Sequence, residues 1–402
     1  RMSFEWPVTD KNFLADESRR LSSITIDTGT TKPSIKVLDQ LLLPGQKKYL
    51  EIKGVESAAD LIKKMQVRGA PLIASVAVFG LCMESFQNAG ANFTREFMNN
   101  AILQLISTRP TAVNLRNVMN RLLKETAGLD GIPLIEAVRG FSFKELIDEA
   151  RDNRQLCWNG VQTISSVPRK NPDGYTIMTI CNTGSLATTS WGTALGVISG
   201  LHDQKMLRRV ICLETRPYNQ GSRLTATELS HQGIDFRLIC DSMAAYSITE
   251  FQVDAIIVGA DRVVANGDTA NKVGTFNLAI VAKYFNVSKF IFGCWKISQF
   301  FLNILSHPSF LIPFFVALPY DTFDFDTEDG SSIIIEQRKD DEMRYFNGSL
   351  ICEPRTPVFN PAFDVTKAEL ISGYITEKGF HTTLGLKLLH GDEMIKRRAA
   401  MQ

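Results

Sequence analysis

The chain has 402 residues, 44% of them hydrophobic and 22% charged, and its 44 Lys and Arg against 43 Asp and Glu leave a formal charge of +1. This length predicts two domains with a large core, and the composition excludes disorder and fibrous repeats. The balanced charge excludes the electrostatic footprint of a general nucleic-acid or membrane-surface binder, so any anionic ligand must be met locally.

Residues 1–20 show no apolar h-region, and no uninterrupted apolar run reaches the ~20 residues of a membrane span. Cys82, Cys157, Cys181, Cys212, Cys240, Cys294 and Cys352 are widely spread and form no C-x-x-C pair. That pattern offers no zinc site or dithiol centre and predicts a reducing, cytoplasmic location.

From about residue 35 to 150 the apolar spacing of SAADLIKKM, PLIASVAVFGLCMESF and LRNVMNRLLKE predicts packed helices. A small helix-rich N-terminal domain, 1–150, is therefore expected. The loop-forming run SVPRKNPDG follows, and beyond it short apolar runs alternate with helical stretches. YTIMTI (175–180), RVICLE (209–214), DFRLIC (235–240), DAIIVGA (254–260) and PFFVAL (313–318) read as strands buried on both faces. The predicted fold class is α/β, with a doubly wound, mainly parallel, Rossmann-like sheet domain over 151–390 and a tail over 391–402. Ligands of such sheets bind outside the carboxyl ends of the strands, so chemistry is sought there.

The first strand leads into CNTGSLATTSWGTALG, where Cys181 and Asn182 open a Gly/Ser/Thr-rich turn before a helix. Backbone amides there can hold an oxyanion, and Cys181 can act as base or charge stabiliser; the alternative is a buried structural cysteine. The second strand ends in ETRPYNQG, offering Glu214, Arg216 and Gln220, which either meet a ligand or stiffen the loop. Asp241 after the third strand is expected to cap a helix. The fourth ends in GADRVVANGDTANKVGT: Asp261 sits at an apolar boundary where burial raises a carboxyl pKa toward general-acid use. Asn271 and Lys272 precede the next helix and suit a phosphate or hydroxyls. In the first domain, Arg68, Gly69 and Ala70 of VRGAP and Arg109 of STRPTAVNL lie beside chain breakers. These arginines either reach across a domain cleft to a phosphate or serve surface solvation.

Taken together, VRGAP, RPTAVNL, CNTGSLAT, ETRPYNQG, GADRVVANGDTANKVGT and VFNPAFDVT occur in one order between Val37 and Thr376. In this they resemble the methylthioribose-1-phosphate isomerase family of methionine salvage, within a superfamily that includes regulatory subunits of the translation-initiation guanine-nucleotide exchange factor. The resemblance implies an aldose-ketose isomerisation of a small sugar phosphate. It implies Cys181 and Asp261 as the catalytic pair and substrate contacts at Arg68, Gly69, Ala70, Arg109, Gln220, Asn271 and Lys272. It further implies no metal, no cofactor, no nucleic acid or membrane partner, a homodimer, and a place in the cytoplasm and also the nucleus. Ribose-1,5-bisphosphate isomerase ranks second; a non-enzymatic exchange-factor subunit ranks third, being expected not to keep Cys181 and Asp261 together.

One departure stands out. Family members pass almost directly from AKYFN to IPFFVALP, whereas here 25 residues, 287–311, intervene with only Lys289 and Lys296 as formal charges. So apolar a segment is unusual for an exposed loop; with a Val-Ser start compatible with a splice donor, a translated intron is the expectation, and a lineage-specific loop or partner patch the alternative.

Overall fold

The computed structural model describes residues 20–27, 32–88, 92–109, 113–291, 312–386 and 388–391, with side chains omitted at 286–291. The tail beyond 391 and residues 292–311 of the segment 287–311 lie outside the described residues.

The amino-terminal region begins with an antiparallel sheet that the helical periodicity did not announce: β1 (Ile24–Asp27), β2 (Ser34–Leu38) and β3 (Tyr49–Glu51). Five helices follow: α1 (Val55–Lys63), α2 (Ala70–Gln87), α3 (Arg95–Ile106), α4 (Val113–Glu125) and α5 (Gly131–Ser165). By length and composition α2 could cross a membrane, yet it is mostly buried, packed against α1, α4 and α5. A helix enclosed on all sides has no face that must be polar.

Residue 150, the expected domain boundary, falls inside α5. The first half of that helix buries Leu134, Ile135, Val138 and Phe141 in the amino-terminal core. Its second half buries Leu156, Cys157, Val161 and Ile164 against the large sheet. One rigid helix therefore serves both cores, and no linker separates them.

The large sheet contains β4 (Tyr175–Thr179), β5 (Leu207–Leu213), β6 (Phe236–Ile239), β7 (Ala255–Val258), β10 (Phe314–Ala317), β15 (Gly373–Thr376) and β16 (Gly379–His381). Its order is β16-β15-β10-β7-β4-β5-β6, parallel except for the β15–β16 hairpin. Connecting helices are α6 (Ala194–Asp203), α7 (Ala226–Gln232), α8 (Ala244–Glu250) and α9 (Thr275–Ile291). Alternate strand residues feed two cores: Ile177, Ala255, Ile257 and Phe315 on one face, Met178, Ile256, Val258 and Phe314 on the other. That two-sided burial is why the strands read as continuous apolar runs.

The chain winds outward from β4 through β5 to β6, then returns to place β7 on the other side of β4. Between β4 and β7 the winding reverses, and at such a point the following loops part and leave a crevice. A second sheet roofs this crevice: β8 (Arg262–Val264), β9 (Thr269–Lys272), β11 (Phe323–Asp324) and β14 (Phe363–Thr366), in the order β11-β8-β9-β14. A short hairpin, β12 (Tyr345–Phe346) and β13 (Ser349–Leu350), lies apart. After residues 287–311, β10 holds its register between β7 and β15.

Candidate active site

Cys181 leaves β4 and Asp261 follows β7, the two strands that flank the reversal. Both line one cavity of about 370 Å³ together with Arg68, Gly69, Ala70, Asn182, Thr183 and Asn271. The sequence supplied the two strand ends; the sheet order makes them neighbours.

Cys181 adopts φ +65°. That left-handed conformation costs a residue with a Cβ roughly 1–2 kcal/mol and persists only where the surroundings enforce it. Here they do: the Cys181 amide donates to Thr215 Oγ1 at 2.9 Å, and its carbonyl accepts from Thr225 Oγ1 at 2.6 Å. Thr215 is pinned in turn by Asp241, whose carboxylate accepts from the amides of Thr215 (2.8 Å) and Arg216 (2.7 Å). Asp241 thus anchors the neighbouring loop; no side-chain bond caps the short helix that it begins.

Arg68 crosses from the first domain. It donates to Asn182 Oδ1 at 2.6 Å and to the Asn182 carbonyl at 2.8 Å, and its Nη2 lies 4.0 Å from Cys181 Sγ. The next residue explains the reach. Gly69 has φ +102°, and a Cβ there would sit 2.3 Å from the Ala187 carbonyl oxygen. Only glycine permits this approach of the α2 amino end to the loop after Cys181.

Asp261 is fixed through its backbone, its amide donating to the Ala270 carbonyl at 2.9 Å on β9. Burial raises its carboxyl pKa, against the opposing pull of Lys272, Arg109 and Arg68. The protonated form is therefore favoured more than in an exposed aspartate. Asn271, next on β9, donates to Thr275 Oγ1 at 3.0 Å.

Successive β9 side chains point to opposite sides, and this divides the site. Asn271 lines the Cys181 cavity, while Lys272 lines an adjoining cavity of about 300 Å³ with Arg109, Gln220, Arg338 and Asn360. Arg68 lines the first cavity and Arg109 and Lys272 the second, yet all three act on the Asp261 carboxyl. Lys272 donates to the Ala362 carbonyl at 2.8 Å and lies 4.8 Å from the Phe363 ring centroid; burial lowers its pKa, with Cys181 and Asp261 opposing. Arg109 follows the end of α3 and pairs with Glu336 at 3.3 Å. Gln220 is 1% exposed, and its Oε1 has no protein hydrogen-bond partner. An unsatisfied acceptor facing a cavity is costly unless a ligand or water meets it.

Arg216 turns away from both cavities, donating to the carbonyls of Pro217 (2.7 Å) and Met343 (3.3 Å). Asp268 of the NGDTANK motif is also structural, accepting from Lys367 Nζ at 2.8 Å and from the Ala368 amide at 3.0 Å. Sequence reasoning missed Thr215, Thr225, Glu336 and Glu228. The readable signal for Glu228 is a carboxylate four residues after Leu224, on the apolar face of its helix.

A model of the initiation factor 2 subunit family matches residues 66–301 and 304–383. The methylthioribose-1-phosphate isomerase of Caenorhabditis elegans is 45% identical over 376 residues, 93% of this chain and 93% of its own length. The chain belongs to the methylthioribose-1-phosphate isomerase family. The crystal structure of 5-methylthioribose 1-phosphate isomerase from Pyrococcus horikoshii OT3 is similar with TM-score 0.76 and 32% identity, covering 97% of this chain and 99% of that one. The structure of translation initiation factor eIF-2B, subunit delta, from A. fulgidus gives TM-score 0.68 and 36% identity, covering 90% of this chain and 95% of that one. The family match breaks between residues 301 and 304, inside the segment 287–311.

Proposed function

We propose that the chain isomerises 5-methylthioribose 1-phosphate to 5-methylthioribulose 1-phosphate in methionine salvage. The observation that carries the reading is Cys181, held at a strained backbone angle, sharing a cavity with a half-buried Asp261 of raised pKa. A scaffold subunit has no use for either feature.

The chemistry fits these residues. A phosphate ester at C1 prevents the simple ring opening of a free sugar, so the ring oxygen needs a proton donor. Asp261, biased by burial toward its acid form, supplies it. Hydrogen then moves from C2 to C1; C2 is oxidised and C1 reduced, so the reaction balances internally. Cys181 serves this transfer, as proton shuttle or as stabiliser of the charge that develops. Lys272, Arg109 and Gln220 take the phosphate in the adjoining cavity, and Arg68 and Asn271 hold the sugar near Cys181.

Purified protein should turn over 5-methylthioribose 1-phosphate, with ribose 1,5-bisphosphate as a poor competitor. Cys181→Ser should lower kcat at least about a hundredfold. Turnover of neither compound would discard the reading, and preference for the bisphosphate would move it to the related isomerase. The family likeness also supports a homodimer, which sedimentation tests, and a cytoplasmic and nuclear location, which imaging of the tagged protein tests. Residues 287–311 are read as a translated intron; their presence in the mature message would refute that.

A further inference from the structure

Directly behind the Cys181 loop lies a carboxylate that does not line the cavity. Glu228, on α7, is 1% exposed, and a buried carboxylate is tolerated only where hydrogen bonds satisfy it. Its oxygens meet the Ser185 amide (2.8 Å), Ser185 Oγ (2.8 Å), the Leu186 amide (3.3 Å) and Asn182 Nδ2 (2.7 Å). The loop comes this close because residue 184 is glycine, where a Cβ would sit 2.3 Å from the carboxylate.

The direction of the Asn182 bonds is forced. Arg68 can only donate, so the Asn182 atom that faces it at 2.6 Å is the amide oxygen. The Asn182 NH2 must then face Glu228, which has to present an acceptor. Asn182 is held between a carboxyl oxygen that accepts and a guanidinium that donates, its dipole aligned with both, while burial raises the Glu228 pKa. We propose that Glu228 is a positioning residue: through the Asn182 amide it fixes the Arg68 guanidinium beside the Cys181 thiol. This rests on reading the Cys181 cavity as the reaction site.

A mutant cycle tests it. Glu228→Gln should lower kcat by roughly tenfold, because its new N–H is set against either the Ser185 amide or the Asn182 NH2. Asn182→Asp should lower it about a hundredfold by facing carboxylate with carboxylate. Adding Glu228→Gln to Asn182→Asp should then recover roughly tenfold, since the new amide donates to the new carboxylate, which still accepts from Arg68. A purely structural role would give losses of the same direction in both backgrounds, and that result overturns the proposal, as does near-normal kcat in Glu228→Gln. If Glu228→Gln does not fold, Asn182→Ala keeps the other donors to Glu228 and should still lose about tenfold in kcat; an unchanged kcat overturns the proposal.

A second readout separates this from the function itself. The rate of Cys181 alkylation by iodoacetamide, resolved by mass spectrometry, should change about threefold in each single variant and return toward wild type in the double. It can be read even if wild-type protein fails to turn over 5-methylthioribose 1-phosphate, an outcome that sinks the function. Alkylation unchanged across the cycle sinks the positioning role.

Discussion

Two hollows meet near Pro71 and Pro319, and they differ in kind. The larger, about 1040 Å³, is walled by Glu145, Asp148, Glu149, Asp152, Asp321 and Glu377 against Arg121, Lys144, Arg151 and Lys378. Many of its charges answer one another: Arg121 bridges Glu145 and Asp321, and Arg151 bridges Asp148 and Asp152. The smaller, at the strand ends, holds a strained cysteine and a half-buried aspartate, with an unpartnered glutamine acceptor in the adjoining cavity. Size locates open space, whereas strain and unmet polar groups locate chemistry.

The sharpest way to break this contrast is Asp261→Asn, expected to lower kcat by about 10²–10⁴ with circular dichroism unchanged. A rate within tenfold of wild type would remove Asp261 as the acid. Because burial raises its pKa, the acid form, and with it kcat, should fail only as pH rises through that raised value. Lys272→Met tests the adjoining cavity. It should raise KM by roughly tenfold through loss of a phosphate contact. Lys272 is also the chief group holding the Asp261 pKa down, so the basic limb of the kcat profile should move to higher pH. An unmoved limb would uncouple the two cavities.

The large cleft should respond in stability instead. Burial pushes the Glu149 carboxyl from 4.5 up to about 8, so between these values the folded chain holds a proton that the unfolded chain has released. Stability is full below the lower value and falls as pH rises through the upper one. Glu149→Gln should therefore match wild type in Tm near pH 5 and exceed it near pH 9, with kcat unchanged; parallel Tm curves would refute the assignment. The smallest effect is expected from Arg121→Ala. Its partly exposed carboxylate pairs should cost about 1 kcal/mol by urea unfolding, with kcat within twofold. A large loss of kcat would bring the cleft into the reaction.

Much of the sheet was legible because it is written locally. Each of the five apolar runs became a strand, and the polar residues just past them gave Cys181, Asn182 and Asp261. The amino-terminal sheet and the roof β8-β9-β11-β14 were not legible, since strands such as TANK in β9 and YLE in β3 lack the continuous apolar runs of the large sheet. The boundary near residue 150 misled for a related reason: a change of sequence rhythm does not reveal that one helix runs through it.

By itself the sequence determined that a cysteine and an aspartate would stand at the ends of buried strands, because β-branched runs and the breakers after them act within a few residues. Only the tertiary structure decided that those strands lie side by side, that Gly69 brings Arg68 across to Cys181, and that β9 separates Asn271 from Lys272. Strand order and close backbone approach depend on packing between residues far apart in the chain, and no local pattern encodes them.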